Sequence, residues 1–277
     1  MLWGKHRPDS AHSKDPRALL GAHPIGDYDL CMTNTVLLDT IAHADLRVAI
    51  GHAAEFGDAV NQTVVFPTEF DAAQRDYPIL FRRDAEGALY AVALLGLDRD
   101  ENLFLDATGW HARHIPALHQ RGPFLIGMVD RHVDGTVQRE PMLHVDLDHP
   151  RVGAPDGQPI FLPHGGQSPY LDHVVTVLRF VHDGLAQRAP MFAAFEQADL
   201  IEPITLDVAL DAETHYTIPD CFTIGPERLA RLDPAALDAL HRAGFLAHAF
   251  RIVSSLGNVA HLIDLKNRKR RAAAGTA

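Results

Sequence analysis

Cysteine, basic residues and long apolar runs are all scarce in this chain, and each shortage removes a class of protein. Two cysteines, Cys31 and Cys221, in 277 residues cannot build a disulfide framework. Neither has a second Cys at metal or redox spacing, so a reducing compartment is the expectation. The longest apolar run, "ALYAVALLGL", is far shorter than the roughly 20 residues a helix needs to cross a bilayer. The opening segment "MLWGKHRPDSAHSKDPRALLGAHPIG" holds no apolar core of the length a secretory signal requires. A soluble, cytoplasmic protein without membrane insertion is expected. Lys and Arg number 25 against 36 Asp and Glu, a formal charge of -11, which repels phosphate backbones and argues against nucleic acid as the main partner. The local signatures that cradle phosphates, dinucleotides, nucleophiles or zinc are missing too: there is no Walker loop, paired-glycine fingerprint, Gly-x-Ser-x-Gly elbow or His-Glu-x-x-His.

What is present reads as alternating strands followed by helices. From Asn61 onward, "TVVFP", "PILFRR" and "ALYAVALLGL" predict antiparallel strands. Asp84 and Gly87 in "RRDAEG" predict a hairpin in which glycine supplies the positive backbone angle. "NLFL", set between "DRDEN" and "DATG", continues the meander. "FLIGMV" and "MLHVDL" predict two more strands, separated by the polar turn "DRHVDGTVQRE". Ser168 and Pro169 start a helix whose apolar face is Leu171, Val174, Val175, Leu178, Val181 and Leu185. It is expected to reach about Gln187, with Pro190 opening a second helix through "MFAAFEQA" before "PITLDVAL" resumes a strand. Asp233 and Pro234 begin another helix that Gly244 stops. Phe245, Ala249, Ile252, Leu256, Val259 and Ile263 then give a last apolar seam, with a bend expected near Gly257.

The fold class is therefore α+β: an antiparallel meander sheet packed against C-terminal helices in a single main domain spanning 46–265. Residues 1–45 mix His, Pro, Lys, Asp and Ser without period and are expected to be poorly ordered, with Met32 as the expected natural start. "KNRKRR", beside an Ala/Gly end, is expected to form a disordered basic tail over 266–277.

Polar residues concentrate in "ENLFLDATGWHARHIPA". Asp106 is suited to a turn that bonds its own backbone, and Trp110 to packing. Asn102, Trp110, His111 and Arg121 are expected to line a concave rim at the end of the meander, an aromatic with flexible polar groups suited to a peptide or protein client. His111 and His114 would meet on a helix, but Pro116 disfavours one there, so zinc is not expected. "HVDLDH" offers a His-x-Asp pair, and His144, Asp146 and a distant His215 make an alternative site for iron. Against that stands a plain turn at the end of an edge strand.

Several blocks resemble the SapC family of bacterial proteins. They are "FPTEFDAAQRDYPILF" from Phe66, "ALLGLDRDENLFLDATGWHARHIPA" from Ala93, "GPF" from Gly122, "GQPIFLPHGGQSPYL", "FTIGPERLARLDPAALDALHRAGFLAHAF" and "SSLGNVAHLIDLKN". Their order and spacing, over roughly residues 45 to 267, carry the resemblance. Where the family tends to show Tyr-x-Pro-Ala and then Arg-Arg-Tyr-Pro-Phe, this chain has His114, Gln120 and Gly122, keeping Arg121, Pro123 and Phe124. A grip by paired arginines is not expected from those positions. The resemblance implies a non-enzymatic, cofactor-free accessory protein that binds a protein client in bacterial surface-layer or envelope protein transport. Relatives linked to halogenase-like flavoproteins and cupin-like oxygenases imply the alternative: an iron-dependent oxygenase-like enzyme, or a partner subunit of such a system.

Overall fold

A computed structural model of the chain describes residues 34–133 and 136–275. In chain order the first half forms β1 (Thr35–Leu37), β2 (Arg47–Val48), β3 (Gln62–Val65), α1 (Phe70–Ala73), β4 (Ile79–Arg83), β5 (Leu89–Leu94), β6 (Leu105–Asp106), β7 (Gly109–Trp110) and α2 (Ala117–Gln120). Next come β8 (Phe124–Val133), β9 (Thr136–Asp146), β10 (Gln158–Pro159), α3 (Pro169–Gln197), β11 (Ile201–Ala209) and β12 (His215–Ile224). The C-terminal helices are α4 (Pro226–Ala230), α5 (Pro234–Arg242), α6 (Leu246–Ser255) and α7 (Asn258–Gly275).

Every named strand pairing is antiparallel, and the class is α+β as the alternation predicts. The expected meander divides into two main sheets. One runs β11-β12-β4-β5-β3, and the other is β1-β9-β8. The Asp84 turn closes β4 onto β5 as read from sequence: the Asp84 carboxylate accepts from Ala88 N at 2.7 Å, and Gly87 has φ 84. "NLFL" contributes only Leu105 to the short β6. The turn expected over "DRHVDGTVQRE" is mostly strand, since β8 and β9 stay in register from Phe124↔Val145 to Val133↔Thr136. Positions 134 and 135 lie outside the described residues.

Two apolar cores share one long helix. Phe81, Ala91 and Ala93 of the five-stranded sheet pack against Met191, Phe192 and Phe195 of α3 and against Leu240, Ala249, Ile252 and Leu262 of the C-terminal helices. Phe124 and Val145 of the smaller sheet pack against Leu171, Val174 and Leu178 near the start of α3. Ser168 caps that helix by accepting from Leu171 N. The predicted break at Pro190 does not occur. Pro190 is exposed, so water can satisfy the carbonyl one turn back that its missing N–H leaves free.

Midway along α3 a bare backbone is required. A Cβ on Gly184 would lie 2.5 Å from Phe66 Cβ and 2.6 Å from Thr68 Oγ1. Gly184→Ala gains about 1 kcal/mol of helix propensity and loses about 1–3 kcal/mol to overpacking. The second effect wins where the neighbour is pinned, and Thr68 Oγ1 is pinned by donating to the Phe180 carbonyl at 3.1 Å. The variant is expected to unfold at lower urea with an unchanged m-value.

Both chain ends depart from expectation. Thr35–Leu37 pair with β9, and Asp39 closes the following turn by accepting from Ile41 N and Ala42 N, so order begins before residue 46. Residues 1–33, with the Met32 start, lie outside the described residues. The expected basic tail is helix as far as Gly275, because its charges find acids far away in sequence. Lys266 is 6% exposed and reaches Glu101, while Arg270 reaches Asp211. Around Gly257 the seam breaks into α6 and α7, at the expected bend.

Candidate functional site

Two buried carboxylates organise one face of the molecule. Asp58, 2% exposed, lies in the loop between β2 and β3. Its Oδ2 accepts from Arg151 Nη2 at 2.8 Å and from Ala53 N at 3.0 Å, and its Oδ1 accepts from His119 Nδ1 at 2.8 Å. His119 Nδ1 therefore carries a proton, and its Nε2 lies 3.1 Å from Thr63 Oγ1. His52 Nδ1 lies 3.1 Å from Arg151 Nη2 and 3.3 Å from Asp58 Oδ2, so the neutral ring accepts from the arginine and the protonated ring donates to the aspartate. Burial pushes the Asp58 carboxyl up. Hydrogen bonds from His119 and His52, with the charge of Arg151, outweigh it and hold the group well below the ordinary carboxylate range.

Glu69, 1% exposed, is the second centre. Oε1 accepts from Phe66 N at 2.9 Å, while Oε2 accepts from Ala117 N at 2.9 Å and His114 Nε2 at 2.8 Å. It fixes the 114–117 turn against the start of α1. Tyr77 donates its hydroxyl proton to the His114 carbonyl and accepts from Trp110 Nε1 at 2.9 Å. Arg113 is held by Asp76, through Nε at 3.1 Å and its backbone N at 2.9 Å.

In front of these centres lies an open cleft of about 430 Å³, within the usual range for small-ligand sites. Its polar walls are His52, Arg113, His114, Gln120, Arg151, Tyr170 and His173, and its apolar ones Ile50, Ala112 and Ile115. Among the described residues, carboxylates, serines, threonines and cysteines are absent from this lining; the acids stand behind it. The Tyr170 phenol is pushed up to about 12 by burial, the Arg151 charge acting the other way, so it stays a proton donor at neutral pH. A donor-rich wall with aliphatic patches is chemically fitted to an anionic group attached to an apolar one. A wider hollow of about 820 Å³ beside Arg228 lacks this character, because Asp199, Glu202, Glu227 and Asp233 stand in its own lining.

The residues read from sequence are not brought together as a rim. Trp110 comes nearest: its indole stands between the rings of His52 and His119, at centroid distances of 5.7 and 4.9 Å. Asn102 is 4% exposed and holds the Asp58 loop, donating from Nδ2 to the Asp58 carbonyl at 3.0 Å. His111 belongs to an exposed turn, with Nε2 2.8 Å from Asp106 Oδ1. Arg121 donates to the Phe124 carbonyl at 3.0 Å and steadies the start of β8. Sequence reading missed His52, Asp58, Glu69, His119, Arg151 and Tyr170, which come from separate segments without a common spacing. His114 and Gln120, two departures from the SapC pattern, were the available signals.

The alternative iron residues are also apart. His144 and Asp146 are on β9, and His215 opens β12 in the other main sheet. Asp146 closes the turn after its strand, accepting from Asn34 N at 3.2 Å and Asp148 N at 3.1 Å. His215 is exposed, with Nε2 3.3 Å from the Ala212 carbonyl. Among the described residues no group of three His, Cys, Asp or Glu side chains is arranged to hold a metal ion.

Fold and cleft together define an α+β protein with a donor-lined cleft backed by two buried carboxylates. The chain belongs to the SapC family, whose sequence model matches residues 38–262. No curated protein and no solved structure matches it. Among the described residues no helix is long and apolar enough to cross a membrane.

Proposed function

We propose that this SapC-family chain is a non-catalytic accessory protein that seats a carboxylate-bearing segment of a protein client in the cleft. It would act from the cytoplasm in bacterial surface-layer or envelope protein transport. The observation that carries the binding role is the lining: two guanidiniums, three imidazoles, an amide and a phenol, with no acid among them, on a chain whose formal charge is -11. Local donor excess on an acidic protein selects an acidic guest and repels most of the protein's own surface. Ile50 and Ile115 fit an aliphatic neighbour of the acidic group. Family membership supports the transport setting.

Affinity purification from the native host, read by mass spectrometry, tests the reading together with a charge change in the cleft. His173 is exposed on the first turns of α3, so His173→Glu places a negative charge in the site without emptying a core. Client recovery is expected to fall at least tenfold, about 1.4 kcal/mol, while the melting temperature stays unchanged. Equal recovery by the variant and the parent chain would defeat the proposal.

A further inference from the structure

Inside the cleft, hydrogen-bond donors are plentiful but unmatched positive charge is not. Arg151 Nη2 lies 2.8 Å from Asp58 Oδ2, and Arg113 Nε lies 3.1 Å from Asp76 Oδ1, so each guanidinium of the lining already has its carboxylate. A carboxylate guest brings a further negative charge to a place where these two cations are backed by the buried Asp58, Glu69 and Asp76. Burying a charge without a countercharge is strongly disfavoured, so the match has to come from the imidazoles of the lining, His52, His114 and His173.

The three rings are not equivalent. His52 Nδ1 lies 3.1 Å from Arg151 Nη2, which repels a proton there, and its acid, Asp58, is already shared with Arg151 and His119. His173 is exposed, where water and salt screen its charge. The His114 side chain is 15% exposed, and its Nε2 lies 2.8 Å from Oε2 of the buried Glu69. Among the described residues Glu69 has no other ion-pair partner; its further bonds come from the backbone N–H groups of Phe66 and Ala117. An ionised carboxylate only accepts, so Nε2 carries a proton in both charge states of the ring, and Nδ1 is the nitrogen that titrates. Nδ1 makes no hydrogen bond among the described residues, and the ring lines the cleft. Tyr77, whose hydroxyl donates to the His114 carbonyl, and Tyr170 of the lining both have phenols pushed up by burial, so neither supplies charge.

We propose that His114 takes up one proton as the guest's carboxylate binds, so that its imidazolium stands between Glu69 and the guest and matches both. The proton comes from solvent and settles on Nδ1, which then donates to the guest; no covalent bond of the client is made or broken. The inference rests on the carboxylate guest proposed above and adds a dependence on pH. The cleft should hold its client more tightly as pH falls through the range in which imidazole gains charge.

Isovalerate, a branched carboxylate that stays ionised near neutral pH, is the probe. NMR of the full chain with isotope-labelled histidine, at about pH 7.5, should show His114 neutral in the free protein and charged at saturating isovalerate. The dissociation constant should rise about tenfold per pH unit above neutrality, as one linked proton requires. His114→Gln, which keeps an amide donor for Glu69, should reduce that response to less than about twofold per unit. A ring already charged before isovalerate is added, or still neutral after it binds, overturns the inference and leaves the carboxylate guest standing. So does an undiminished pH response in His114→Gln. Failure of isovalerate to bind at any pH overturns both.

Discussion

Asp58→Asn is expected to destabilise the protein by about 3–5 kcal/mol, the range for breaking a buried ion pair by removing one partner. The substitution keeps the shape of the side chain and removes the charge that Arg151, His119 and Ala53 N share. Arg151 is 3% exposed and makes its ion pair with Asp58, so its guanidinium would be left buried and uncompensated. Urea unfolding measures the loss. The pH dependence supplies a second reading with a definite sign. Since the folded-state pKa of Asp58 is held below its ordinary 3.8, its contribution is fully present above that value and drains away as pH falls toward the folded value. The parent chain should thus lose stability on the acid side more steeply than Asp58→Asn. Curves of equal slope would mean that the carboxylate is not held by its neighbours in this way.

The sequence disclosed those parts of the fold that are decided locally. The Asp84–Gly87 hairpin and the helix from Asp233 to Gly244 each need only a few adjacent residues: Asp233 Oδ1 accepts from Ala235 N and Ala236 N, and Gly244 takes φ 79. Pro190 misled because its cost depends on which side of the helix faces water, a tertiary fact. The basic run misled for the same reason, since Lys266 and Glu101 meet across 165 positions. In the site, Trp110 and Asn102 were visible as unusual residues, but their roles run inward, to Tyr77 and the Asp58 loop. The cleft itself collects residues 50–52, 112–120, 151 and 170–173, which share no period and become one site only when α3 and the Asp58 loop are packed.

The C-terminal helix gives the second large effect. Glu101, 5% exposed, accepts from Lys266 Nζ at 2.8 Å through each carboxylate oxygen and from Lys269 Nζ at 2.9 Å. Burial pushes the Glu101 carboxyl up, but hydrogen bonds and charge from the two lysines hold it below its ordinary value; burial pushes Lys266 down, and Asp98 and Glu101 hold it above its own. The pair therefore contributes fully between ordinary carboxylate and lysine values, losing strength below the first and above the second. Glu101→Ala should cost about 1.5–3 kcal/mol, the range for hydrogen bonds to charged groups, because Lys266 loses its buried partner and keeps only the half-exposed Asp98, whereas the double change Glu101→Met with Lys266→Met should recover most of it, because an apolar pair of similar volume escapes the desolvation cost. Hydrogen exchange should locate the first damage in 258–275. The next residue, Asn102, donates to the carbonyl of Asp58. Loosening Glu101 should consequently reach the cleft as well: client recovery should fall in Glu101→Ala but hold in Lys269→Ala, whose side chain is exposed and leaves the buried pair intact.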